Sequence, residues 1–193
     1  TEWKGDWSDR SRLWTPRMKA QLDWSAEDDG TFWMALVDFA ENFSSLYVCR
    51  LPAPSWETLE AKGEWRGPTA GGCCNHPATS GHTPQFLLTV TRPTHVIIAL
   101  AQADVRGSGG ELFPIGVSCV YNKGARVSRL LQSHWSADSA PFRNSREVSL
   151  DTVLEMRGGG GSSVYTLVVS TFDPGCERGF SPRVFADAPG CTL

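Results

Sequence analysis

No run of apolar residues in this chain approaches the roughly 18 needed to cross a bilayer; the longest, Val96–Ala101, is the length of a strand. There is no surplus of charge of one sign. A net charge of −3 gives no electrostatic footprint for nucleic acid, so no nucleic-acid partner is expected. No signal peptide is visible, and the chain opens on Thr1-Glu2-Trp3 rather than Met, which reads as a fragment or a trimmed chain. The glycine-rich stretches lack the Lys-Ser/Thr ending of a phosphate loop. There is no internal repeat, and the tetraglycine Gly158–Gly161, the one low-complexity spot, reads as a flexible loop. A disulfide framework is not indicated: of six cysteines, Cys73 and Cys74 are adjacent, and Cys49 and Cys119 fall in strand-like runs. Reduced thiols and an intracellular, cytoplasmic location are expected.

What is present suits a globular protein of one domain or two small ones: 193 residues, 40% apolar and 20% charged. Five of the eight tryptophans, Trp3, Trp7, Trp14, Trp24 and Trp33, crowd the first 33 residues and predict an aromatic core there. Thr15-Pro16 marks a helix start running to about Asp23, with Thr as cap and Pro in the first turn. The stretch Asp28–Leu51 holds an acidic turn at Asp28-Asp29-Gly30, then a short helix with Phe39 and Phe43 on one face. A strand is expected over Ser45–Leu51, with Leu46 and Val48 on one side and Tyr47 and Cys49 on the other.

After Leu51 the pattern changes. Pro52–Lys62 reads as a linker broken by prolines. Strands are expected over Glu64–Arg66, Gln85–Arg92, Thr94–Gln102, Ile115–Tyr121, Val127–Gln132, Arg146–Leu150, Ser163–Thr171 and Phe180–Ala186. Many short strands, Gly- and Pro-rich turns and no long helix predict a mainly β fold, an antiparallel β-sandwich. Val96–Ala101 is apolar on both alternating sets, so that strand is expected to be central and covered on both faces.

Few constellations could carry chemistry. Cys73, Cys74, His76 and His82 supply metal-ligand types, but a second ligand pair at workable spacing is missing, so a Gly-rich loop with incidental Cys and His is expected. None of His76, His82, His95 or His134 stands in a recognisable Cys–His–Asn setting. The acidic turn imitates the opening of a helix–loop–helix calcium site through Ser25, Glu27, Asp29, Gly30 and Phe32, but the position that must supply a bidentate Glu is Leu36.

Two ordered sets of residues resemble a known family. Glu2-Trp3, Gly5, Trp7-Ser8-Asp9, Trp14, Asp29-Gly30, Phe32-Trp33-Met34, Asp38-Phe39 and Val48-Cys49 resemble the C-terminal end of the calpain protease core. Gly63, Trp65, Gly67, Thr69–Cys73, Pro84-Gln85-Phe86, Ile115-Gly116, Ser145–Val148 and Ser170–Phe172 with Pro174-Gly175 resemble calpain domain III, a C2-like β-sandwich. The resemblance spans essentially the whole chain. It implies residues 1–51 as the end of the second lobe of a papain-like core, a small α+β piece. It further implies 52–62 as a linker, 63–187 as domain III and 188–193 as a tail.

The implied activity is calcium-dependent intracellular cysteine endopeptidase, with the catalytic Cys, His and Asn upstream of Thr1 and no catalytic residue in this chain. The implied metal is calcium, bound weakly by Glu2, Asp9, the Glu27 carbonyl and Asp29, with Thr31 where the family has an acid. Implied partners are the rest of the protease core and, through the parent enzyme, protein substrates. The family's acidic loop in domain III corresponds here to Val90–Thr94, short and with one positive charge. Arg106 and Arg157 stand singly in Gly-rich turns, so membrane binding is expected to be weak. Two alternatives share these residues: a C2-like lipid- or protein-binding regulatory module, and a scaffold piece of a non-catalytic calpain relative.

Overall fold

The computed structural model describes residues 2–27, 29–46, 48, 51–107, 109–129, 135–139, 141–157 and 160–193, with the backbone alone at Trp135. Asp28, Tyr47, Cys49, His134, residues 130–132 of one expected strand and part of the tetraglycine lie outside the described residues. The chain divides into two compact units, Thr1–Leu51 and Pro52–Leu193.

The first unit holds two short helices. In α1 (Pro16–Gln21) the Thr15 hydroxyl accepts from the Met18 N–H at 3.2 Å, and Pro16 opens the first turn. The α2 helix (Leu36–Asn42) carries Phe39, whose ring stacks on Phe43 at 4.7 Å, the contact that a spacing of four allows. The aromatic core forms around Trp14, with Trp7, Trp24 and Trp33 at 5.2, 6.1 and 6.4 Å. The Trp14 indole N–H donates to the Ser8 carbonyl at 2.9 Å. Neither helix buries a residue, and Leu36, Val37, Leu46, Val48 and Leu51 are all exposed, Leu51 to 85%. No strand forms at 45, 46, 48 or 51, the described positions of Ser45–Leu51. A strand needs a hydrogen-bonded neighbour, and the described residues of this unit offer none.

The second unit is a sandwich of two five-stranded antiparallel sheets. Its strands are β1 (Glu57–Glu60), β2 (Gly63–Trp65), β3 (Gln85–Val90), β4 (Thr94–Gln102), β5 (Pro114–Tyr121), β6 (Trp135–Asp138), β7 (Arg143–Asn144), β8 (Glu147–Leu154), β9 (Ser163–Thr171) and β10 (Arg178–Ala186). The first sheet runs β1-β10-β4-β8, with β2 also on β10. The second runs β3-β9-β5-β6, with β7 also on β5. Between them Val96, Ile98, Leu100, Leu150, Phe180 and Val184 face Leu88, Ile115, Val117, Tyr165, Leu167 and Val169 in one core. This alternation is what a two-layer antiparallel fold requires of its inner faces.

Central β4 is covered on both faces, as its composition predicts. Its outward residues Ile97, Ala99 and Ala101 lie nearly buried beneath side chains of the neighbouring strands. Arg183 of β10 reaches across β4 to Glu147 of β8 at 2.5 Å, and His95 pairs with Asp151 at 2.5 Å. The outer face of the second sheet is closed by loops. Gln85 makes two 2.8 Å bonds with the Val127 backbone, one donated and one accepted, and Val127 packs on Val120, Val168 and Cys74. That exchange explains why no strand forms at 127–129: a side-chain amide occupies the backbone groups that a ladder would use.

Two further expectations are corrected. The stretch 52–62 contains β1, zipped to β10 from Glu57↔Ala186 to Glu60↔Arg183, so it is an integral strand as well as a connection. Residues 188–193 are not a free tail: Cys191 is buried and Thr192 exchanges two backbone bonds with Thr89 at 3.0 and 3.2 Å. Among the described residues no helix is long and apolar enough to cross a membrane.

Candidate functional site

The oxygen-rich corner of the first unit is built from the chain start and the turn ahead of α2. Asp29 donates its N–H to the Glu27 carbonyl at 2.9 Å and accepts the Thr31 N–H on its carboxylate at 2.8 Å. Gly30, at φ +84°, turns its N–H toward the Glu2 carboxylate at 2.8 Å. This turn needs glycine, because other residues rarely adopt positive φ. Glu2 and Asp9, with Lys4, Arg10 and Ala26, line a hollow of about 680 Å³.

Thus the structure joins Glu2 to the 27–31 turn and places Glu2 and Asp9 on one hollow. It does not gather the carboxylates: among the described residues no three His, Cys, Asp or Glu side chains converge as a metal site requires. The donor chemistry still fits a hard cation, since every candidate atom is oxygen and each bonded carboxylate has a second oxygen to offer. An ion at this position would have to draw Asp9 and Asp29 inward.

The thiols and imidazoles form no nucleophile–base pair among the described residues. His76 Nε2 lies 3.6 Å from the Asp173 carboxylate, and His95 is held by Asp151 with the Trp56 ring against it at 5.1 Å. Cys73, Cys74, Cys119, Cys176 and Cys191 are free thiols. Burial pushes the Cys119 thiol up to about 12, and burial is also the leading cause of the upward shifts at Cys74, Cys176 and Cys191. A cysteine nucleophile needs the opposite, a thiol shifted down by a cation or helix N-terminus.

The pH dependence follows in sign. Burial favours the protonated form of Cys119, so its contribution to stability is complete at neutral pH and is lost as pH rises from about 9 towards about 12. Iodoacetamide at pH 7.5 should label these five thiols in the native chain at least about tenfold more slowly than free cysteine, with Cys119 last. One of the five reacting at the free-cysteine rate would contradict this environment.

A small α unit carrying an oxygen-rich turn, followed by a two-sheet antiparallel sandwich, defines the class of protein. Residues 1–50 match the family model described as calpain family cysteine protease, and residues 61–185 match that of calpain large subunit, domain III. The chain belongs to the calpain family. It is 36% identical over 206 residues to the calpain-type cysteine protease ADL1 of Oryza sativa subsp. japonica, an alignment covering 97% of this chain and 9% of that protein. It is 31% identical to calpain-5 of Mus musculus, covering 97% of this chain and 32% of the relative. Calpain-A of Drosophila melanogaster is also 31% identical, with 96% and 26% covered. The chain therefore spans a third or less of the length of these relatives.

Proposed function

We propose that this chain is the non-catalytic supporting portion of a calcium-dependent, intracellular calpain-type cysteine endopeptidase acting on protein substrates. In this reading residues 1–51 finish the peptidase core, and the sandwich that begins at β1 within 52–62 and continues through 63–187 is domain III. The observation that carries it is the succession of two family matches, peptidase then domain III, on either side of the division at Leu51. The exposed apolar side chains of the first unit support it, because Leu36, Leu46, Val48 and Leu51 suit a surface that packs on the rest of a peptidase core. The five described free thiols suit a reducing compartment. The chain alone should leave casein uncleaved with or without calcium, since burial raises the thiols of Cys74, Cys119, Cys176 and Cys191 and no described thiol is paired with a base. Calcium-stimulated cleavage that a thiol reagent blocks would overturn the assignment.

Calcium would be held by Glu2, Asp9, Asp29 and the Glu27 carbonyl, with Thr31 contributing at most a neutral oxygen. Its chemistry there is structural, clamping the chain start to the turn. A good site takes six to eight oxygens, and affinity rises with ligand charge, so the expected Kd is weak, on the order of 10⁻⁴–10⁻³ M. Asp29→Asn removes a negative charge from the ligand set while leaving an amide oxygen able to accept the Thr31 N–H, so the turn is kept and the charge is lost. Titration calorimetry should show calcium binding in the parent and none in Asp29→Asn. Equal binding by the two would place the ion elsewhere.

A further inference from the structure

The sequence scatters its cations, yet the sandwich brings two of them to one hollow. Lys62 lies in the short link between β1 and β2, and Arg146 immediately precedes β8. They line opposite sides of a hollow of about 270 Å³ on the first sheet. Its floor is Ala101 of β4 and Ala103 just past its end, with Gly179 and Ser181 of β10. The hollow exists because these residues are small: a Cβ added at Gly179 would meet nothing nearer than 3.9 Å. The two cations flank β10 and β4, so about three strand spacings, roughly 14 Å, separate their backbones. Two long flexible side chains can close that gap only on something between them.

Neither cation has an ion-pair partner among the described residues, and the carboxylates nearby are engaged. Glu64 faces Arg66 at 4.0 Å, Glu147 holds Arg183 at 2.5 Å, and Asp104 is bonded by Arg106 at 2.6 and 2.7 Å. The Arg106 bonds, with a minor contribution from Arg146, hold the Asp104 carboxyl down at about 2, so it stays ionised and engaged at neutral pH.

We propose that this hollow is a docking point for a carboxylate side chain on an acidic segment of a partner polypeptide. The charge complementarity is direct: two cations with no ion-pair partner among the described residues line one hollow, and a single anion between them would meet both. The number of charges selects a peptide over a bilayer. Each basic residue near an anionic membrane contributes only weakly to binding, so two do not hold the chain there, whereas a single Asp or Glu side chain in a shallow hollow can be met by both.

The test is an amide-shift titration of the ¹⁵N-labelled chain with acetylated hexaglutamate. Shifts are expected at Ala101, Ala103, Gly179 and Ser181. Lys62→Gln and Arg146→Gln should each weaken binding about threefold, and the pair about tenfold, as exposed ion pairs of modest strength do. Both residues are exposed, so these variants should keep the parent's melting temperature. Gly179→Val leaves every charge in place and fills the floor; it should also abolish the shifts. Absence of shifts in the parent, or binding unchanged in both the double variant and Gly179→Val, would overturn the proposal. So would phosphatidylserine vesicles binding through Lys62 and Arg146 while the peptide does not.

Discussion

Replacing Trp65 with alanine is expected to remove about 3–5 kcal/mol from the stability of the sandwich, the range for truncating a buried Trp or Phe. Trp65 is fully buried although β2, which carries it, has three residues. Its ring lies 4.5 Å from that of Phe180, and its indole N–H donates to the Val169 carbonyl at 3.1 Å. Val169 belongs to β9 of the second sheet, so this one side chain fastens the two layers by packing and by a hydrogen bond. Urea unfolding should show a lower midpoint with an unchanged slope. Trp65→Phe separates the two effects: it keeps most of the ring contact and loses the indole donor, at a cost of about 1–3 kcal/mol. A loss under about 1 kcal/mol for alanine would mean that the layers are not joined here.

The second large effect is expected at Gln102. This residue is fully buried at the end of β4, and its amide is saturated. The side-chain nitrogen donates to the Phe113 and Ser145 carbonyls at 2.7 and 2.8 Å. The oxygen accepts from the Phe113 N–H at 3.1 Å and from Arg178 at 3.0 Å. Gln102→Met keeps length and volume but strips four partners at once. Each buried group left unpaired costs about 1–3 kcal/mol; because the four share one network the losses do not add, and a total of at least about 3 kcal/mol is expected. The same variant should speed hydrogen exchange at Phe113, whose amide loses its acceptor. Wild-type exchange at Phe113 in Gln102→Met would show that another acceptor protects it.

Where the chain is strongly patterned, local chemistry and final structure agree. β4 and β9 have the limits their apolar runs predict, and Thr15 caps α1 as its side chain allows. The misses have a shared physical origin. Glu57-Thr58-Leu59-Glu60 shows one apolar residue in four, so β1 is made by its pairing with β10 rather than by its own pattern. β7 is two residues long and exposed, below what periodicity can reveal. At Val127 the pattern was that of a strand, and the Gln85 amide, 42 positions away in sequence, claimed the backbone first. Site residues divide the same way. The family resemblance implies Glu2 and Asp29 in one ligand set, whereas the bond from the Gly30 N–H to Glu2 joins residues 28 positions apart and shows only in the structure. The placing of Lys62 and Arg146 on one hollow depends on strand order, which no local window contains.

The register Glu57↔Ala186 has a mechanical consequence. β1 is the first strand of the sandwich and β10 the last, and their partners at the open end are the residues where the chain enters and leaves the sheet. Tension on the two flanking segments would load the Thr89–Thr192 bonds first, since they anchor the chain after β10, then Glu57↔Ala186, Thr58↔Phe185, Leu59↔Val184 and Glu60↔Arg183 in turn. Bonds loaded singly yield at lower force than bonds sheared together. When pulled through its ends the sandwich should therefore release the anchor at Thr192 and then unzip from Glu57↔Ala186, peeling β1 from β10.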